Sequence, residues 1–208
     1  MNYPKYYDEV DSITLYDPLA QILGTFDDGL IQFKYMQVVK SAGHSCPTVA
    51  GAYLITLAGV NALYPQDEDE NAEEILPVRG HIKVEFKEAL TDGVAGVIGN
   101  VVSQITGATD KSGFKGLNGN FARHGLMDYN SDIKSSARFT RIDTNKSVDV
   151  FYDASSVGGN PDMQMLMQKV MTNSASEDEA KRFGELWQER VKKILIDNKE
   201  DVIRVETV

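Results

Sequence analysis

Gly43-His44-Ser45-Cys46-Pro47-Thr48-Val49-Ala50-Gly51 opens an apolar run that continues to Leu63. Pro47 suits a first helical turn, where its missing N–H would go unpaired anyway and its fixed φ already fits. A helix starting there puts Cys46, the one cysteine of the chain, at its N-terminus. Free amides and the positive dipole end favour an anionic thiolate at such a place. The run from Val49 to Leu63 covers about 15 residues, whereas a bilayer crossing needs roughly 20. Pro47 and Pro65 bound it, and Thr56 and Asn61 interrupt it. It reads as a buried central helix, apolar on nearly every side, with Gly51 and Gly59 allowing close approach of neighbours.

Outward from this helix the chain alternates between helical and extended patterns. Asp17-Pro18 is a capping carboxylate before a proline, and Leu19, Ile22, Leu23 and Phe26 follow at helical spacing. Asp27-Asp28-Gly29 reads as a turn, and Leu30 to Val39 as a strand delivering the chain to His44. Val78, Gly80, Ile82, Val84 and Phe86 alternate with Arg79, His81, Lys83, Glu85 and Lys87, which makes a half-buried strand with His81 on its solvent face. His81 therefore receives no catalytic role. Asp92 is read as the cap of a second helix with an apolar stripe from Val94 to Ile105, stopped by Gly107. Ala137 to Asp143 and Ser147 to Ala154 form a hairpin.

Gly158-Gly159-Asn160-Pro161 marks a linker, followed by a methionine-bearing helix from Asp162 and a longer one from about Glu177, opened by the Ser176/Glu179 capping box. Met163, Met165 and Met167 read as packing filler. Val202 to Val208 is a closing strand. The predicted architecture is α+β, with a mixed or antiparallel sheet packed on apolar helices. It divides into a core, residues 1–157, and a C-terminal helical extension, residues 158–208.

Acidic residues number 31 against 21 Lys and Arg, a formal net charge of −10. That surface repels phosphate backbones and argues against nucleic acid as a partner. The Asp67-Glu68-Asp69-Glu70 run reads as a solvated loop. One cysteine allows no internal disulfide, and no charged segment followed by an apolar one opens the chain, so the expected compartment is the cytoplasm, without membrane association.

Residues two apart in an extended lead-in point the same way, so His44 and Cys46 can face one point as metal ligands or as a base and nucleophile pair. A catalytic zinc takes three protein ligands and keeps one position open, which requires a further partner. The glycine-rich stretch from Gly107 to Gly119 lacks the spacing of either phosphate-binding glycine motif and reads as a loop bordering a pocket. Asp128-Tyr129-Asn130-Ser131-Asp132 starts like a calcium loop, but Ile133 and Phe139 stand where the glycine and bidentate glutamate belong.

His44-Ser45-Cys46-Pro47, Gly51 with its long apolar helix, a strand, a second helix and Ile105-Thr106-Gly107-Ala108-Thr109 together resemble the FmdE family, over about residues 10 to 155. The resemblance implies an α+β core, often dimeric, whose histidine and cysteine line a cleft and help bind a transition metal, commonly zinc. It makes His44 and Cys46 the ligand candidates. The chain departs from the family pattern at Thr48, which stands in place of a glycine, and on the second helix, where Val97 or a neighbour replaces a cysteine and Asn100 lies near the family aspartate. With no cysteine after Cys46 there is no C-terminal zinc finger. The lost thiolate points to His124 as substitute ligand, with Asp128 orienting it or binding metal itself.

Three functions follow as expectations. The first is a metal-dependent enzyme or redox-linked metalloprotein using a divalent transition metal, zinc foremost, with nickel or iron also compatible. The second is a haem or other cofactor carrier without turnover. The third is a metal-free thiol enzyme built on Cys46 and His44. The abundance of apolar helical surface, with Trp187 and the methionines, further predicts a homodimer.

Overall fold

The computed structural model describes residues 2–65 and 75–208, so the acidic run at Asp67 to Glu70 lies outside the described residues. After a 3-10 turn at Lys5–Glu9, β1 (Ile13–Tyr16) pairs antiparallel with β2 (Leu30–Phe33). Between them stands α1 (Pro18–Ile22). Asp17 caps α1 as expected, its carboxylate accepting the Leu19 and Ala20 amides.

The extended segment predicted for residues 30–39 ends early. Phe33 closes β2, and α2 (Tyr35–Ala42) takes over, opened by a reciprocal Lys34/Gln37 cap. Tyr35 and Val38, three apart, face the core from α2. Apolar residues at Leu30, Ile31 and Phe33 supplied a strand signal that runs into a helical one without a break in composition. Gly43, in the left-handed region at φ 79°, stops α2 and turns the chain toward His44.

The central helix, α3 (Pro47–Leu63), is buried along nearly its whole length. Among the described residues no helix is long and apolar enough to cross a membrane. Its glycines admit aromatic rings: Tyr152 lies over Gly51, and a Cβ on Gly59 would come within 2.5 Å of the Phe139 ring. Helix α4 (Ala95–Thr106) packs beside it and ends at Gly107, φ 75°. Asp92 does not cap α4 with its side chain. Its backbone carbonyl accepts the Ala95 amide, and the helix begins three residues later than the carboxylate suggested.

The main sheet has the order β4-β3-β5-β6-β7, from β3 (Ile82–Phe86), β4 (Met127–Asp128), β5 (Ala137–Arg141), β6 (Ser147–Tyr152) and β7 (Ile203–Thr207). The β3–β4 pairing is parallel and the others antiparallel, so the sheet is mixed and the α+β class holds. Strand β3 keeps the predicted alternation only from Ile82 onward. Gly80 at φ 89° turns the chain, so Arg79, expected on the solvent face, folds inward against α4. His81 is exposed, as its place in the alternation required.

Past the linker come α5 (Met163–Met171) and α6 (Glu177–Lys192), the latter with the expected Ser176/Glu179 capping box. A π-helical turn (Lys193–Asp197) and α7 (Lys199–Val202) then lead into β7. This segment is not a separate appendage. Val191, Ile194, Leu195 and Val202 are buried in the same core as α3, and β7 extends the main sheet beside β6. Of the methionines read as packing filler, Met163 is half-buried against Gly159, whereas Met165 and Met167 are exposed, and Leu166 is the buried residue of α5.

Candidate functional site

Four residues, Gly43 to Cys46, join α2 to α3, and burial alternates over the last three. Ser45 is buried, His44 is exposed and Cys46 is half-buried, so His44 and Cys46 lie on the side away from Ser45. Cys46 is the N-cap of α3, with extended backbone, and its Sγ accepts the Val49 amide at 3.4 Å. A thiol rarely takes this position. It puts the sulfur in front of the free amides of a 17-residue helix.

Ser45 is the anchor. Its hydroxyl lies 2.7 Å from the Tyr35 hydroxyl, and its carbonyl accepts Trp187 Nε1 at 3.0 Å and Gln188 Nε2 at 3.3 Å. Gln188 Oε1 in turn accepts the hydroxyls of Tyr6, at 2.8 Å, and Tyr7, at 3.0 Å. Tyr7, Tyr35 and Tyr53 continue this network as edge-to-face rings. Burial pushes the Tyr35 hydroxyl well above its usual pKa, against the lowering effect of its bond to Ser45, so it stays protonated. The residues that fix the His-Ser-Cys segment therefore come from α2, α6 and the N-terminal turn. None carries a local motif, and the only sequence signal was the density of tyrosines near the N-terminus with one tryptophan far downstream.

His44 Nδ1 lies 3.1 Å from the Ala42 carbonyl. A carbonyl only accepts, so Nδ1 carries the proton in this bond and the Nε2 lone pair is the one left for a ligand. His44 borders a cavity of about 500 Å³ whose opposite wall, from α4, includes Val97 and Asn100. The resemblance sets the missing second-helix cysteine at Val97 or a neighbour and the aspartate near Asn100.

On the other side of the α3 N-terminus, Pro47 and Thr48 line a second cavity of about 450 Å³. Lys87, Lys134 and Arg190 border it against a single acid, Glu88, in a chain whose net charge is −10. Tyr152 forms part of its wall. Burial, offset in part by Arg190, pushes that hydroxyl up to about 12, and it donates to the Pro47 carbonyl at 3.0 Å. Ser135 in the same wall is fully buried and donates to Asp149, which Arg138 holds in a two-pronged pair at 2.8 Å.

A family model described as "FmdE, Molybdenum formylmethanofuran dehydrogenase operon" matches residues 42–204. The chain belongs to the FmdE family. The FmdE match starts just before His44 and runs into β7, well past residue 155, so the C-terminal helices lie within the family's extent. No curated protein sequence matches the chain.

The remaining candidate ligands of this FmdE protein stand elsewhere. His124 is exposed and borders a cavity shared with His81, Arg79 and Arg123, not the one bordered by His44. Asp128, on β4, pairs with Lys83 at 3.0 Å. Among the described residues no group of three or more His, Cys, Asp or Glu is placed to hold one metal ion. Of the four expected ligand residues, His44 and Cys46 share one short segment anchored through Ser45, and His124 and Asp128 stand apart from it.

Proposed function

We propose that this FmdE-family protein binds a divalent transition metal, zinc foremost, through His44 and Cys46, and that membership links its role to formylmethanofuran dehydrogenase. The observation that carries this reading is the preparation of both donors. Cys46 Sγ receives the Val49 amide, and His44 Nδ1 is committed to the Ala42 carbonyl, the kind of outer hydrogen bond that fixes a metal-binding imidazole. The donor chemistry of the pair fits zinc; the count, two from one chain, falls one short of the usual catalytic set. A bound metal would supply Lewis acidity or an activated water there. The cationic cavity beside Pro47 supports an anionic small molecule as the ligand acted on or carried.

Elemental analysis of the purified protein tests the metal. Stoichiometric zinc, nickel or iron in the native chain, lost in the His44→Ala, Cys46→Ala double variant, is the expected result; metal retained in full by the double variant would overturn it. The same preparation's absorption spectrum distinguishes a haem carrier, and thiol-dependent turnover without metal would identify a metal-free enzyme.

The shortfall in ligands supports a homodimer as the working state. Leu90, Val94 and Val97 are exposed on α4 and the turn before it, Val97 at the rim of the His44 cavity and Val94 at that of the Pro47 cavity. A second copy covering these side chains would approach the metal-binding segment. Sedimentation at micromolar concentration should give about twice the chain mass, and Val94→Asp should return it to the monomer value. A wild-type monomer would refute this assembly.

A further inference from the structure

The junction of α1, α4 and the 107–123 loop holds a buried cation with donors to spare. Arg123 is 7 % exposed, and its Nη2 lies 2.8 Å from Asp17 Oδ1. Its Nε is buried without a hydrogen bond, and Nη1 makes none with the described residues. Asp17 has little left to give. Its Oδ1 also accepts the amides of Leu19 and Ala20, at 3.1 and 3.2 Å, and its Oδ2 accepts Arg79 Nη1 at 3.1 Å. Arg79 is partnered at each nitrogen, donating further to the carbonyls of Ile105 and Gln104. Two guanidiniums thus face one carboxylate, an unbalanced positive charge within a strongly acidic chain.

The backbone holds Arg123 in this position. Its amide donates to the Phe114 carbonyl, and its own carbonyl accepts both the amide and the hydroxyl of Thr109. Gly80 and Gly107, both at positive φ, leave room for the guanidinium: a Cβ on Gly80 would sit 3.0 Å from Nε, and one on Gly107 would run into Nη1. The side chain forms part of the wall of an open groove of about 540 Å³. Asp17, Arg79, Ser103, Gln104 and Thr109 line the groove beside it, and its apolar side comes from Leu19, Leu23 and Phe114, of which Leu23 is 63 % and Phe114 43 % exposed.

We propose that this groove binds an amphiphilic oxyanion, a carboxylate or phosphate monoester on a medium-length hydrocarbon, with its head on Arg123 and its tail along Leu23 and Phe114. A guanidinium suits either head, because its N–H groups pair with two oxygens of a carboxylate or phosphate. The apolar wall then accounts for large hydrophobic side chains left in water beside a buried charge. This site contains neither His44 nor Cys46, although Ser103 and Gln104 line both it and the cavity that His44 borders, and its occupancy does not depend on metal.

Calorimetric titration of the full chain with octanoate, octyl phosphate, inorganic phosphate and octanol tests the proposal. Octanoate, octyl phosphate or both should saturate a single site, and whichever binds names the head group. Octanol and inorganic phosphate, each lacking one half of the ligand, should bind at least about tenfold more weakly, the loss expected from one charge-assisted hydrogen bond or a few buried methylenes. Arg123→Gln should weaken binding by a similar factor, but it also unpairs Asp17. Leu23→Asp, at an exposed position, reads the groove without disturbing the core and should also lose at least about tenfold. No saturable binding of either amphiphile, octanol binding as tightly as octanoate, or unchanged binding by Leu23→Asp would overturn the proposal.

Discussion

Asp17→Ala should destabilise the protein by about 3–5 kcal/mol, the cost of leaving a buried charge without its partner, and a further ~1 kcal/mol should follow from the lost helix cap. The carboxylate satisfies the first amides of α1 and both Arg79 and Arg123, and its removal leaves the two guanidiniums facing each other. Against a typical total of about 5–15 kcal/mol, that is a large share of the stability. Urea unfolding reads it as a fall in midpoint with unchanged slope. Burial alone would raise the Asp17 pKa, but the hydrogen bond and charge of Arg123, the Ala20 amide and Arg79 bring it below the ordinary carboxylate range. The unfolded chain therefore takes up the proton first as pH falls. The stabilisation is complete above the ordinary range, about pH 4, and is lost as pH drops through the lower folded value. Asp149, held down by Arg138, loses its contribution over the same acidic side. A midpoint for Asp17→Ala within ~1 kcal/mol of wild type would show that the cluster carries no such weight.

Val97→Cys should raise zinc affinity by more than about 100-fold, because outer hydrogen bonds to metal ligands are alone worth about 10–100-fold and this change adds a ligand outright. Val97 stands across the cavity that His44 borders and is 38 % exposed, so the substitution neither empties the core nor strains α4. The thiolate it introduces would complete the three-ligand set of a catalytic zinc. Competition with a chromophoric chelator measures the change. The pairing of Val97→Cys with His124→Ala is informative: His124 borders a different cavity, and its loss should leave the gain intact. An affinity unchanged by Val97→Cys would place the third ligand outside this cavity.

The elements legible in the sequence were those whose signal is local. The central helix announced itself by an unbroken apolar run behind Pro47, β3 by its alternation, and α6 by the Ser176/Glu179 box. Elsewhere neighbouring signals merged. Leu30 to Val39 looked uniformly extended because the switch at Lys34 is made by Gln37, whose side chain accepts the Lys34 amide, a pairing that composition does not show. Arg79 was assigned to solvent by extending the β3 alternation through Gly80, although a residue at φ 89° ends a strand and resets which way its neighbours point. At the site, Cys46 and His44 were readable from a four-residue pattern, whereas Ser45, Tyr35, Trp187 and Gln188 were not. Their roles exist only once distant segments meet.

Trp187 and Gln188 reach Ser45 from α6, across 142 and 143 residues of sequence. During synthesis, His44 and Cys46 emerge long before the segment that clamps them. Contacts of such separation form slowly, because the loop must close before the contact is gained. The nascent chain thus displays its cysteine and histidine on an unclamped segment until α6 arrives, and the order of translation sets the earliest moment at which the pair can take its final geometry. A metal captured before then would meet side chains not yet held to shape.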